Sequence, residues 1–234
     1  MWRAAIVACG LALGAHSAGA AEITQADFAA PTDRYTHGIL GDAIEYGALV
    51  LRLSNGKTLR MVLPETRVFE DLAPRLADVD GDGAPEVIVV ETDTRRGAQL
   101  AVYDDTGKIA ATPYIGTRNR WLSPIGVGDL DGDGLIELAY VDRPHLAKTI
   151  RIWRFRDGAL HHVADAPGFT NHRIGEDYIS GGLRQCGGAP EMIVVDANWR
   201  QVQAVTFTGG QFSSRTIGPF TGRDGMQAAL ACPQ

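Results

Sequence analysis

The chain is poor in cysteine, in basic runs and in long apolar stretches, and each shortage removes a class of protein. Only three cysteines occur in 234 residues, and Cys9 lies among the first twenty. The remaining pair, Cys186 and Cys232, is too few for a disulfide-dense scaffold and lacks the spacing of a zinc or thiol-redox motif. Net charge is −6, with no long run of Lys and Arg, which argues against nucleic acid as a partner. Beyond the N-terminus no segment is apolar for long enough to span a bilayer. The start, "MWRAAIVACGLALGAHSAGAAE", combines Arg3, a short apolar run and the small residues Ala18-Gly19-Ala20. That pattern predicts a secretory signal peptide over residues 1–20, leaving residues 21–234 as one periplasmic or secreted domain. In an oxidising compartment, two cysteines favour a disulfide over a metal or catalytic thiol.

What the chain has in quantity is repetition. Four stretches alternate apolar and polar residues, turn at a polar-Gly pair and alternate again: "LVLRLSNGKTLRMVL", "LAVYDDTGKIAATPY", "IRIWRFRDGALHHVA" and "VQAVTFTGGQFSSRT". Their turn glycines, Gly56, Gly107, Gly158 and Gly210, are spaced 51, 51 and 52 residues apart. Ahead of the last three hairpins lie "PEVIVVE", "LIELAYVD" and "PEMIVVD", apolar runs of strand length that imply burial on both faces. Four antiparallel strands recurring every fifty residues or so predict an all-β fold, a small β-propeller. The count gives about four four-stranded blades, or five with one incomplete. On this reading "GMQAALACPQ" at the end is a fifth inner strand that helps close the ring.

Two of the buried runs follow an acidic loop. Asp78, Asp80, Asp82 and Glu86 stand at offsets 1, 3, 5 and 9 of the first, and Asp129, Asp131, Asp133 and Glu137 at the same offsets of the second. Alternate carboxylates on a tight turn converge on one point, and Gly83 and Gly134 permit the bend. A backbone carbonyl from Ala84 or Leu135 can add a further oxygen. An all-oxygen, multi-carboxylate set suits calcium better than magnesium. An EF-hand would need Glu at offset 12, where Val89 and Tyr140 stand instead, and would need helices on either side.

These loops resemble the calcium loops of FG-GAP repeats, also called VCBS repeats, of integrin-type β-propellers and many bacterial surface proteins. The carrying motif is Asp-x-Asp-Gly-Asp-Gly-x-x-Glu followed by a buried strand, present twice. The resemblance implies a calcium ion bound between the first two strands of a blade by the residues just named. The integrin-type ring has seven blades, more than this chain can supply. The fourth unit departs from the motif: aligning Glu191 with Glu137 puts Leu183, Gln185 and Gly187 at the aspartate positions. Cys186 lies inside that degenerate loop, and aligning "ALAC" with "RLAD" puts Cys232 at the first ligand position of the tail. A Cys186–Cys232 disulfide pinning the tail is therefore expected.

The segments entering the inner strands from the opposite face carry Arg34, Arg67, Arg118, Arg120, Arg173 and Arg223, with Tyr35, Phe69 and Trp121 nearby. The connections on that face add Arg95-Arg96, Arg143 with His145, and Trp199-Arg200. Arg67, Arg118, Arg120, Trp121, Arg173 and Arg223 are thus candidate ligand residues for an anionic glycan or a partner protein's carboxylates. The competing reading is that these arginines brace the fold by pairing with acids, Arg67 with Glu70 or Asp71 for instance. No catalytic signature stands out: the serines lack a Gly-x-Ser-x-Gly elbow, and His161-His162 point to opposite faces of a strand. The expected function is a non-catalytic calcium-binding interaction module. The alternative is a periplasmic hydrolase or lyase acting on an anionic saccharide.

Overall fold

A computed structural model describes residues 21–232, so the expected signal peptide lies outside the described residues. In the first unit, β1 (Ile23–Thr32) and β3 (Thr58–Val62) flank β2 (Glu45–Leu53). The second holds β4 (Arg67–Phe69) and β5 (Arg75–Ala77), which both pair with β6 (Glu86–Asp93), followed by β7 (Gly97–Tyr103) and β8 (Lys108–Ala111). The third is the regular four-stranded sheet β9 (Leu122–Gly128), β10 (Glu137–Asp142), β11 (Thr149–Arg156) and β12 (Ala159–Pro167). The fourth repeats the second: β13 (Phe169–Thr170) and β14 (Gly182–Arg184) both pair with β15 (Glu191–Asp196), and β16 (Gln201–Thr208) and β17 (Gln211–Pro219) follow. All pairing is antiparallel. Each of the four expected hairpins forms, and all four turn glycines adopt positive φ.

The continuous apolar runs are explained by where alternate side chains go. Along β6, Val87 and Val89 enter a core shared with Leu49, Leu51 and Leu53 of the first unit. Ile88 and Val90 point the other way, into a core with Leu138 and Tyr140 of β10. Ala139 and Val141 of β10 then meet Met192 and Val194 of β15. A strand sandwiched between neighbours must be apolar on both faces, and each fully buried Val, Leu or Ile contributes about 1.5–3 kcal/mol.

The tail corrects the expectation of a fifth strand. Arg223–Leu230 is a helix, α1, and its Met226 and Leu230 cover Ile193, Val195 and Val202 on the outer face of the fourth unit. The segment Gln227-Ala228-Ala229-Leu230 has no β-branched residue and is rich in good helix formers. Its Met226 and Leu230, four apart, fall on one face. Among the described residues no strand of the fourth unit pairs with a strand of the first, so the ring closure expected from a tail strand is not seen. Instead the β1–β2 connection, residues 33–44, runs past every unit. Arg34 Nε donates to the Arg67 carbonyl at 3.1 Å, and the Tyr35 hydroxyl accepts from Asn119 N–H at 2.9 Å. Gly175 N–H donates to the Ile39 carbonyl at 3.0 Å.

Candidate metal loops and the opposite basic face

Each acidic loop is built by its own backbone. In the first, Asp78 Oδ1 and Oδ2 accept from Gly81 and Gly83 N–H at 2.7 and 3.0 Å. Asp80 Oδ1 accepts from Asp82 N–H at 3.1 Å, Asp82 Oδ1 from Ala84 N–H at 2.7 Å, and buried Glu86 Oε2 from Val79 N–H at 2.8 Å. Gly83 has φ +93°, which a side chain would strain. These bonds fix the carboxylates while leaving one oxygen each on Asp80, Asp82 and Glu86 without a protein donor among the described residues. Carboxylate oxygens of Asp78, Asp80 and Glu86 lie within 4.8 Å of one another, and so do those of Asp129, Asp131 and Glu137. Asp82 and Asp133 stand outside these tightest groups. Burial, then the neighbouring Asp80, Asp82 and Asp78, push the Glu86 carboxyl up against the pull of Val79 N–H. Such a set, all oxygen and short of positive charge, fits a hard divalent cation.

The second loop repeats the backbone pattern. Asp129 accepts from Gly132 and Gly134, Asp133 Oδ1 from Leu135 and Glu137 Oε2 from Leu130. It differs in having a guanidinium in its midst. Arg154 of β11 lies 2.9 Å from Asp131 Oδ2, 2.9 Å from Asp133 Oδ2 and 2.5 Å from Glu137 Oε1. The sequence reading missed Arg154. Its signal was available in the hairpin register, which puts Arg154 directly across from Glu137. In the fourth unit the degenerate loop needs no ion. Arg184 and Arg215 hold Glu191 from both sides, and Cys186 and Cys232 form the expected disulfide with Cα atoms 5.4 Å apart.

At the far end of the inner strands, roughly 25 Å away for an eight-residue strand, lies the arginine-bearing face. The structure does not gather its six candidates into one site. Arg67 is bound to buried Glu91, not to Glu70 or Asp71. Glu91 also receives the Tyr103 and Tyr114 hydroxyls and Lys108 Nζ. Arg173 lies 4.2 Å over the Trp199 ring and Arg223 4.7 Å over Tyr178, both near the fourth unit. Arg118 is 6.0 Å from the Tyr35 ring. Only Arg120 and Trp121 line a common cavity, of about 360 Å³, with Arg143, His37, His145 and the apolar Ile39, Leu146 and Ile174. Arg143 is forked onto Asp142, whereas Arg120 has no acidic partner among the described residues. Buried Glu70 holds His37 Nδ1 at 2.5 Å, and burial pushes His145 down to about 4. Among the described residues Arg120 therefore brings the cavity a positive charge that no acid offsets.

Residues 78–140 match the family model of the FG-GAP-like repeat, so the chain carries such a repeat across its two acidic loops. No curated protein sequence matches the chain. Among solved structures, the chain is similar to an exo-β-1,3-galactanase from Phanerochaete chrysosporium crystallised with β-1,3-galactotriose. Identity is 13% and the TM-score 0.42, with 84% of this chain and 49% of that chain covered. The chain thus spans about half the length of that enzyme, and the likeness is too slight to bear on activity.

Proposed function

We propose that this is an exported, non-catalytic interaction module of propeller type in which calcium is a structural ion. The observation that carries this reading is the first loop, where backbone N–H groups hold four carboxylates in place and, among the described residues, no basic side chain answers them. Calcium there would be held by Asp78, Asp80, Asp82, Glu86 and the Ala84 carbonyl, and would neutralise the charge packed against a dry strand. The matching set in the second loop is Asp129, Asp131, Asp133, Glu137 and the Leu135 carbonyl. The N-terminal sequence and the Cys186–Cys232 disulfide support a periplasmic or secreted location, where calcium is available.

The partner surface on this reading is the cavity around Arg120, and the ligand an anionic glycan or a protein carboxylate. Arg120 is a guanidinium without an acid beside an apolar wall, the combination that binds a carboxylated, partly apolar group. We read the module as non-catalytic because its repeated carboxylates are committed to the loops, and Glu70 is committed to His37 and Thr92. Immobilised protein should retain an acidic polysaccharide, and replacing Arg118 and Arg120 by Ala should abolish retention without moving the melting temperature. Undiminished retention would remove the cavity from this account, and turnover of the saccharide would favour the hydrolase or lyase reading.

A further inference from the structure

We infer that the two acidic loops are unequal, and that Arg154 is a built-in counter-cation that makes the second loop the weaker divalent site. The inference rests on the calcium reading above and adds a rank order that the matching motifs conceal.

The loops are alike oxygen for oxygen once the backbone bonds are accounted for. In both, the first aspartate gives its two oxygens to glycine N–H groups, and the Glu gives Oε2 to the N–H after that aspartate. The oxygens left over in the first loop are Asp80 Oδ2, Asp82 Oδ2 and Glu86 Oε1. Their counterparts in the second, Asp131 Oδ2, Asp133 Oδ2 and Glu137 Oε1, are the three atoms that Arg154 touches, one with each guanidinium nitrogen. A planar fork with fixed donors suits three converging carboxylates better than a lysine would. Continuing the register in which Val87 faces Tyr103, the residue across from Glu86 is Asp104, an added negative charge. The depression beside the first loop is lined by Asp104 and Asp157 as well as Asp78 and Asp80, and its one cation, Arg156, is paired with Asp157 at 3.3 Å. Among the described residues no basic side chain touches the carboxylates of the first loop, so a cation entering it displaces none. One entering the second must displace or share with a resident guanidinium.

Calorimetric titration of the protein with calcium tests this. Two unequal events are expected, the second about tenfold weaker, a factor that lies between the bulk-water and protein-surface limits for one unit charge at contact distance. Asp80→Asn should remove the tight event and leave the weak one. Arg154→Gln should strengthen the weak event about tenfold, and Asp104→Arg, the reciprocal graft, should weaken the tight one by a similar factor. If Arg154→Gln does not fold, Asp104→Arg alone decides between the two rank orders. Two equal events, or variants that leave affinities unchanged, would overturn the rank order while leaving calcium binding intact. No heat from any variant would remove the calcium reading and this inference together.

Discussion

Glu91 is buried in the middle of β6 and still ionised, because of what surrounds it. Burial alone would raise its carboxyl, but the Tyr103 hydroxyl, Lys108 and Arg67 hold it below the usual range. A depressed carboxyl contributes stability that is present above its unfolded pKa and lost as pH falls through the folded one. Glu91→Gln leaves two cations facing a neutral amide, and should cost about 3 kcal/mol by urea unfolding at pH 7. Glu45 behaves oppositely. Burial, with Glu70, Asp42 and Asp71 around it, pushes its carboxyl up to about 9. Its stability is full below the unfolded pKa and lost as pH rises through about 9. Glu45→Gln should therefore flatten the alkaline loss of stability measured by thermal unfolding between pH 7 and 10; an unchanged slope would show that other groups cause it.

At the scale of elements, the C-terminal helix and its disulfide act as one clamp. Met226 seals the outer face of the fourth sheet, while Arg184 donates to the Ala229 carbonyl at 2.7 Å and Cys232 is tied to Cys186. Met226→Ala should destabilise by about 2–5 kcal/mol. Replacing both cysteines by Ser should cost about 2–4 kcal/mol, read as a lower urea midpoint. These elements also mark the limit of what sequence reveals. The hairpins and inner strands are legible because period-two alternation and turn glycines are local. The tail is not, because residues that resemble a strand entrance are also good helix formers, and only the uncovered face of β15 decides between the two. The disulfide follows from an alignment that treats this helix as a strand, so the pairing holds and its geometric reason does not.

At the scale of the whole molecule, three dry cores stack the units, α1 covers the last, and residues 33–44 lace the inner ends together. The two acidic loops sit at one end of this stack and the Arg120 cavity at the other. The convergence of Asp78, Asp80 and Glu86, and of Asp129, Asp131 and Glu137, is legible because each loop is a contiguous motif, whereas Asp82 and Asp133 fall outside these closest groups. The cavity is not legible, since His37 comes from the first unit, Arg120, Arg143 and His145 from the third and Ile174 from the fourth. Arg154 lies between these cases, on another strand but at a position that hairpin register defines. Among the described residues no helix is long and apolar enough to cross a membrane.

The most direct test of the central claim is the melting temperature of the protein in chelator and then in calcium at about a hundredfold above the dissociation constant. Ligand binding at that excess adds about 2.7 kcal/mol, so a rise of roughly 5–10 °C is expected for a domain of this size. Identical curves in chelator and calcium would mean that the carboxylates of the first loop stand without an ion, and the structural role given to calcium would be wrong.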